Sequence, residues 1–185
     1  MHSPRQEPQR PEISDLELLR HAAAGSSSAF GAIVERHGDR LYALAVSLVS
    51  NAADAEEVLQ ETLLGAFRGM GRFRGQASVK TWLTRILVTQ AARWLREQQR
   101  RRQYEVTGTP ASAAAATPDM QRVLDLQSAL ARLSGEHREV LVLREFERLS
   151  YDEMAEVLQV PHGTIESRLF RARAALRELL EDYRQ

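Results

Sequence analysis

A group of basic side chains lies near the C-terminal end of the sequence, after a break formed by Pro161 and Gly163. The apolar residues that follow recur at steps of four and three, so a helix would place them on one buried stripe. The stripe contains Ile165, Leu169, Ala172, Leu176 and Leu179. The side chains furthest from it are Ser167, Phe170 and Arg171, with Glu166, Arg168 and Arg173 on the flanks. Arginines on such a free face can bind phosphates, and side chains in the first turns can reach base edges.

The segment before this helix supports an interpretation as a nucleic-acid reader. It contains the stretch "LSYDEMAEVL", in which Ser150 and Glu153 have the S-x-x-E spacing of a capping box at a helix start. A short capped helix, a brief turn and a second, basic helix together predict a helix-turn-helix that binds duplex DNA. The alternative is a basic amphipathic helix that only closes a helical bundle.

Residues 51–64 form an acidic segment, "NAADAEEVLQETLL", that contains no basic residue. On a helix, Glu57, Glu61 and Leu64 share one face of this segment. An exposed apolar residue among acids predicts a docking surface for a basic protein partner. A solvated face without a function is the alternative. Metal-assisted chemistry is not predicted, because the segment contains no histidine and no E-x-x-H pair.

A third candidate surface lies between these two segments. Residues 68–102 are rich in arginine and carry a single acidic residue. Within them, Trp82 and Arg85 follow a basic loop that carries Phe73. Such surfaces bind single-stranded nucleic acid, since each base stacked on a ring contributes about 1–3 kcal/mol while the cations displace counterions. Packing in the core is the alternative for Trp82, and it is the prediction for Trp94, which lies on the buried side by spacing.

Helical periodicity extends over most of the chain, and strand-like alternation is absent. Helices are predicted at 15–24, from Ser28, from Asn51 or Asp54 to about Met70, and from about Ser78 to Arg101. In the second half, one apolar stripe contains Val123, Leu126, Leu130 and Leu133, and another contains Val140, Leu143 and Phe146. The stretch 103–119 mixes Gly, Pro, Thr, Ser and Ala without an apolar period, which predicts a flexible linker. The chain is therefore predicted to be all-α, with a disordered tail at 1–13 and two small helical domains at 14–102 and 120–185.

The composition limits the classes of protein that fit. With 43% hydrophobic and 27% charged residues, the chain of 185 residues is typical of a soluble globular protein. It has no cysteine, which excludes a disulfide scaffold and a thiolate metal or redox site. The sequence shows neither an apolar run approaching the roughly 18 residues of a transmembrane helix nor the pattern of a secretory signal. The formal net charge is zero, but this sum combines an acidic and a basic block, which indicates two different partners.

Taken together, these stretches resemble the extracytoplasmic-function group of sigma factors, in the sigma-70 family of bacterial RNA polymerase. The resemblance covers about residues 14–185, in the family's order. "AFGAIVERHGDRLYALA" is similar to the first conserved helix of that family, and "DAEEVLQETLLGAFR" is similar to its polymerase-binding helix. "FRGQASVKTWLTRI" is similar to the segment that melts and reads the −10 promoter element. "LSYDEMAEVLQVPHGTIESRLFRARAAL" is similar to the region that reads the −35 element.

The resemblance implies roles for individual residues. Flipped-out bases of the −10 element would be bound by Arg72, Phe73, Arg74, Gln76, Ser78, Lys80, Thr81, Trp82, Arg85 and Thr89. The −35 duplex would be read by Thr164, Glu166, Ser167, Arg168, Phe170, Arg171 and Arg173. Core polymerase would dock on Asp54, Glu57, Gln60, Glu61 and Leu64.

The resemblance also implies what the chain works with. The expected partners are core RNA polymerase, promoter DNA and an anti-sigma factor, which in this family is often tethered to a membrane. The chain itself is expected in the cytoplasm, not inserted in a membrane. No cofactor and no metal site are expected, and the chain is not expected to be an enzyme, because catalysis belongs to the polymerase.

Three positions depart from the family's usual pattern. Thr89 stands where asparagine is frequent, Leu64 lies near where phenylalanine is usual, and Glu166 stands where arginine or lysine is frequent. A carboxylate cannot gain from a phosphate, but it can accept a hydrogen bond from N4 of cytosine in the major groove. Two other classes of protein remain as alternatives: a helix-turn-helix activator that acts without sigma activity, and a helical bundle that binds only proteins.

Overall fold

The structure, a computed structural model, describes residues 13–104 and 126–182, which we call the N-terminal and the C-terminal domain. The described residues contain helices and no strand, which confirms the predicted all-α class. The N-terminal domain contains α1 (Asp15–Ala23), α2 (Ser27–Val49), α3 (Ala52–Gly69), a 3-10 turn (Met70–Arg72) and α4 (Val79–Tyr104). The C-terminal domain contains α5 (126–132), α6 (Gly135–Leu141), a π turn (Val142–Phe146), α7 (Tyr151–Leu158) and α8 (His162–Asp182). None of these helices is long and apolar enough to span a bilayer.

The predicted domain limits can be compared with the helices only in part. Helix α4 continues to Tyr104, so the first two residues of the predicted linker at 103–119 belong to this helix. The rest of that linker lies outside the described residues, as do residues 1–12, 120–125 and 183–185. The tail, the linker and the exact limits of the two domains therefore stay predictions.

Short polar side chains fix the starts of several helices. Ser150 Oγ accepts a hydrogen bond from the backbone N–H of Glu153 at 3.2 Å, and the Glu153 carboxylate accepts one from the Ser150 N–H at 2.8 Å. This confirms the predicted capping box at α7. Ser14 and Glu17 form a second capping box at α1, and Asn51 Oδ1 accepts from backbone N–H groups in the first turn of α3. Each cap contributes about 1 kcal/mol, because the first N–H groups of a helix have no partner within it.

The core of the N-terminal domain lies where α2, α3 and α4 pack together. Its largest fully buried side chains are Ile33, Leu41, Leu44, Leu48, Val58, Leu83 and Leu87. Helix α1 packs against α2, and at its start Asp15 accepts hydrogen bonds from Arg36 at 2.9 Å and from His37 at 2.7 Å. Burial alone would raise the pKa of Asp15, but these hydrogen bonds outweigh it and hold that pKa below its usual value. The bundle thus supports α3 and α4 from one side and leaves the outer face of α3 exposed, whereas part of α4 is covered by α7.

The C-terminal domain packs α8 against α6 and α7. Ile165, Leu169 and Ala172 are buried, and the last two residues of the predicted stripe are partly buried, so the stripe is confirmed. Helix α7 ends at Leu158, and the residue that caps it, Gln159, has a left-handed φ of 56°. The chain then turns through Pro161 into α8. This arrangement is the predicted helix-turn-helix, and it leaves the basic face of α8 pointing away from the core.

Phe146 does not belong to the buried stripe predicted for it. Val140 and Leu143 are fully buried, but Phe146 is exposed and Glu147 is buried in its place. Glu147 lies seven residues, or nearly two full turns, after Val140, which places it on the same side of the helix. In the π turn, the backbone N–H of Glu147 bonds to the carbonyl of Val142, five residues earlier rather than four. The predicted step of three residues from Leu143 to Phe146 was therefore wrong, and the inward residue is Glu147.

One buried arginine joins the two domains. Arg138 donates hydrogen bonds to the carbonyls of Leu130 at 2.8 Å and Ala131 at 2.7 Å, which belong to the end of α5. A further donor of the same guanidinium binds the carbonyl of Leu48, near the end of α2, at 2.6 Å. Since the last carbonyls of a helix have no partner within it, Arg138 satisfies carbonyls at two helix ends, one in each domain.

Candidate functional site

Phe73 and Trp82 form the centre of an open cleft between the loop after the 3-10 turn and the first turns of α4. Their ring centroids lie 5.0 Å apart, with an angle of 42° between the ring planes. The cleft has a volume of about 350 Å³. Residues predicted to bind the −10 element line it: Arg72, Phe73, Arg74, Gln76, Thr81, Trp82 and Arg85. We call this set the aromatic cleft; its aromatic rings and guanidinium groups can stack on bases and bind phosphates.

Three of the predicted residues lie beside the aromatic cleft rather than in its lining. Ser78 caps α4, because its Oγ accepts a hydrogen bond from the N–H of Thr81 at 3.0 Å. The exposed Thr89 turns its hydroxyl to its own helix, donating to the carbonyl of Arg85 at 2.8 Å. Lys80 points towards the C-terminal domain, where its Nζ lies 3.1 Å from the backbone carbonyl of Glu147. The loop and the start of α4 thus form one continuous surface. Within it, Ser78 stabilises the start of the helix.

Thr81, which the resemblance assigns to binding bases of the −10 element, is buried in this arrangement of the chain. Its side chain is only 3% exposed. The Thr81 hydroxyl lies 2.8 Å from the Ser78 hydroxyl, and it donates to the carboxylate of Glu153 in α7 at 3.4 Å. Helical spacing within α4 could not predict this burial, because the covering residue comes from the other domain.

Neither tryptophan is fully buried in the core. Trp82 is half-buried: one part of the ring contacts Phe73, and the rest lines the aromatic cleft. Trp94, predicted to be a core residue, packs against the core but is only partly buried. It lines a groove of about 330 Å³ between α3 and α4, beside Glu57 and Glu61.

The outer face of α3 carries the predicted acidic surface. Glu57, Gln60, Glu61 and Leu64 are all exposed, whereas Asp54 is partly buried at the margin. Phe67 extends this face and was not predicted; it is 50% exposed and meets Phe30 edge-on, with ring centroids 5.2 Å apart. Phe67 could have been predicted to share this face, because it follows Leu64 by three residues on the helix. We call Glu57, Gln60, Glu61, Leu64 and Phe67 the α3 face.

The free face of α8 carries the residues predicted to read duplex DNA. Phe170 is 78% exposed, and Glu166, Ser167 and Arg171 are also exposed, while Thr164 is half-buried. A carboxylate holds each flanking arginine: Arg168 donates to Glu136 at 2.7 Å and Arg173 to Glu145 at 2.9 Å. The hydrogen bond that Arg173 donates to Glu145 raises the pKa of Arg173. These pairs hold both guanidinium groups near the free face.

Glu166 has one basic neighbour on its own helix. His162 Nδ1 lies 3.7 Å from Glu166 Oε1, and His162 Nε2 lies 3.8 Å from Asp152 Oδ1. His162 is the first residue of α8. Within the described residues, no group of three or more histidine, aspartate or glutamate side chains is arranged to hold a metal ion.

Two family models match this chain. Sigma-70 region 2 matches residues 33–101, and sigma-70 region 4 matches residues 124–176. The RNA polymerase sigma-H factor of Pseudomonas aeruginosa is 33% identical over 181 residues, which cover 90% of this chain and 94% of that protein. The ECF RNA polymerase sigma factor SigM of Mycobacterium tuberculosis is 36% identical over 171 residues, which cover 92% and 87%.

Solved structures are similar over most of the chain as well. CnrH, in complex with the cytosolic domain of CnrY, has a TM-score of 0.70 at 30% identity and covers 92% of this chain and 99% of its own. The sigma factor RpoE of Bartonella quintana, in complex with the anti-sigma factor NepR, has a TM-score of 0.71 at 30% identity and covers 82% and 96%. The aromatic cleft and the α3 face lie within the first matched region, and the free face of α8 lies within the second.

Proposed function

The chain belongs to the sigma-70 family of RNA polymerase sigma factors, in its extracytoplasmic-function group, and from this premise we propose that it directs bacterial core polymerase to a particular set of promoters. The observation that carries the proposal is that two separate surfaces suited to nucleic acid occur in one chain, in the order of the two matched regions. One is the aromatic cleft and the other is the free face of α8. A third surface, the α3 face, has the acidic and apolar character of a protein-docking site.

The aromatic cleft would hold the melted −10 element. Flipping a base out of the duplex costs a few kcal/mol, and stacking on Phe73 or Trp82 would return about 1–3 kcal/mol per base. Arg72, Arg74 and Arg85 would add contacts to the backbone of the same strand. The cleft is open to solvent, and Glu156 and Val157 of α7 form part of its lining.

The free face of α8 would read the −35 element as duplex. Its first turns carry Glu166 and Ser167, which can reach base edges, and Arg171 lies further along the same face. Arg168 and Arg173 lie on the flanks. There, phosphates along the groove would either replace the carboxylate partner of each arginine or bind to the same guanidinium group beside it. The arrangement fits a recognition helix whose position is set by phosphates and whose specificity is set by a few side chains.

The α3 face would dock on core polymerase. Its carboxylates favour a basic partner surface, and the exposed Leu64 and Phe67 supply the apolar contact that such an interface needs at its centre. The chain would work in the cytoplasm, together with the polymerase, and would leave all bond-forming chemistry to that enzyme. Because the Bartonella quintana relative is in complex with an anti-sigma factor, we expect a similar inhibitor for this chain.

In vitro transcription with bacterial core polymerase tests this function directly. Addition of the chain is expected to give new transcripts from a library of random promoter fragments, with starts downstream of shared −35 and −10 sequences. A known sigma factor serves as the positive control for the polymerase. Duplex binding without new transcripts would show a helix-turn-helix activator instead, and the absence of both would leave only a protein-binding bundle.

Replacement of Glu166 by alanine is expected to relax specificity at one base pair of the −35 element. A carboxylate that accepts a hydrogen bond from cytosine discriminates by about 1–3 kcal/mol at a single position. The measurement is selection from a random duplex library, followed by affinity for single-base variants of the selected site. Glu181→Ala, which removes an exposed acid further along α8, is the matched control. An equal change in affinity for every duplex would mean that Glu166 acts only through its charge.

A further inference from the structure

The imidazole of His162 lies between two carboxylates at the start of α8. One belongs to Glu166, a turn further along the same helix, and the other to Asp152 of α7, and each lies within 4 Å of a different ring nitrogen. The ring also packs beside Tyr151 of α7, with ring centroids 5.5 Å apart. His162 therefore joins the two helices of the helix-turn-helix directly beside Glu166, which is the proposed reader of a base pair.

The charge of this imidazole decides how it acts on its neighbours. A protonated ring carries a hydrogen on both nitrogens and attracts both carboxylates, whereas a neutral ring turns a lone pair towards one of them. The distances of 3.7 and 3.8 Å are those of ion pairs rather than of hydrogen bonds. From the π turn, the charged group in this region is Arg144, which lies over the ring of Tyr151, 5.3 Å from its centroid. Because histidine changes its charge between about pH 5 and 8, the attraction to Glu166 varies with pH in that range.

A glutamate that is already held in place discriminates better than one that moves freely. The Glu166 side chain is 59% exposed, and it must lose rotamer freedom when it binds a base, which opposes binding. His162 lies on the side of Oε1, so a protonated ring would restrict the side chain before DNA arrives. The second oxygen, Oε2, would stay available to accept a hydrogen bond from N4 of cytosine.

We propose that His162 is a positioning residue for promoter recognition: its protonated ring orients Glu166 towards one −35 base pair, so that the chain selects this base pair more strongly at pH 6 than at pH 8. The inference rests on the proposed function, because it assigns the free face of α8 to the −35 duplex. Asp152 supports the ring from α7, since it lies at the nitrogen that does not face Glu166. His162 itself would not touch the base.

The test uses the full chain and two −35 duplexes that differ only at the base pair where Glu166→Ala relaxes specificity. The ratio of the two affinities is measured at pH values of about 6, 7 and 8. General attraction to phosphates acts on both duplexes alike, so it cancels in this ratio. We expect the ratio to be about threefold larger at pH 6 than at pH 8, which corresponds to the strength of one exposed ion pair.

Variants at position 162 separate the effect of charge from that of packing. His162→Gln keeps a polar side chain but does not titrate, so its ratio should be independent of pH and close to that of the unsubstituted chain at pH 8. His162→Lys stays positively charged, so its ratio at pH 8 should exceed that of His162→Gln. His21→Gln, at an exposed histidine of α1, is the matched control and should keep the full pH dependence. A merely structural role of His162 would weaken binding to both duplexes equally and leave the ratio unchanged.

Three results would overturn the inference. The first is a ratio that does not vary with pH in the unsubstituted chain, and the second is a ratio that varies equally in His162→Gln. The third is that Glu166→Ala relaxes no position, because His162 is proposed to act through Glu166. In each case, transcripts from the unsubstituted chain with core polymerase would still support the proposed function, whereas their absence would refute that function itself.

Discussion

Replacement of Glu61 by lysine is expected to abolish binding to core RNA polymerase while sparing recognition of the −35 duplex. Glu61 is exposed in the middle of the α3 face, between Glu57 and Leu64. A lysine there would meet the basic partner surface with a like charge, which costs several kcal/mol at an interface, or on the order of a hundredfold or more in affinity. The side chain takes no part in the helical core, so the fold should be unchanged.

Core affinity is measured with labelled chain titrated by core polymerase, and −35 affinity with a selected duplex. Glu35→Lys is the matched control, because Glu35 is an exposed acid of the same domain that lies on α2, outside the α3 face. The control is expected to keep core affinity within a few fold. Equal core affinity for Glu61→Lys and the unsubstituted chain would show that α3 does not dock on the polymerase by this face.

Replacement of Arg138 by methionine is expected to cost about 3 kcal/mol or more of the free energy of unfolding of the C-terminal domain. Methionine fills much of the volume but donates no hydrogen bond, so carbonyls of Leu130 and Ala131 would be left in the interior without a partner. The contact to Leu48 would be lost as well, which should weaken the attachment to the N-terminal domain.

Urea unfolding followed by circular dichroism measures this loss, with separate fits where the two domains unfold in separate transitions. Arg177→Met removes an exposed arginine of α8 and should change the free energy of unfolding by less than about 0.5 kcal/mol. Arg138→Lys keeps the charge but loses the forked geometry, so an intermediate loss is expected. A loss below about 1 kcal/mol for Arg138→Met would mean that water replaces the guanidinium at these carbonyls.

Features governed by local chemistry could be predicted from the sequence. The capping box of Ser150 and Glu153 depends on residues three apart, and the stripe of Ile165 and Leu169 depends only on helical periodicity. The positions of the helices and the free face of α8 follow from the same rules. The acidic residues of the α3 face could be identified for the same reason, since exposure on a helix follows from its spacing.

Features that depend on contacts between distant parts of the chain could not be predicted. Glu147 was not recognised because its partners, Arg40 and Lys80, are 107 and 67 residues away. The burial of Thr81 could not be predicted, because the residue that covers it, Glu153, belongs to α7. The burial of Arg138 was only weakly indicated by the sequence. Arg138 precedes the buried Leu141 and Val142 by three and four residues, so it lies on the same side of the helix. An arginine at such a position needs hydrogen-bond acceptors in the interior.

The π turn at Val142–Phe146 has a consequence for insertions and deletions. In an α-helix the backbone N–H that bonds to the carbonyl of Val142 would be that of residue 146, whereas here it is that of Glu147. Loss of one residue from this turn would move Glu147 out of register and bring the next residue, Arg148, towards its place, so Arg40 and Lys80 would lose their carboxylate partner. A change in chain length at this single turn would therefore alter the contact between the domains more than exchange of most surface charges. The length of this turn, as much as residue type, thus determines whether Glu147 meets Arg40 and Lys80.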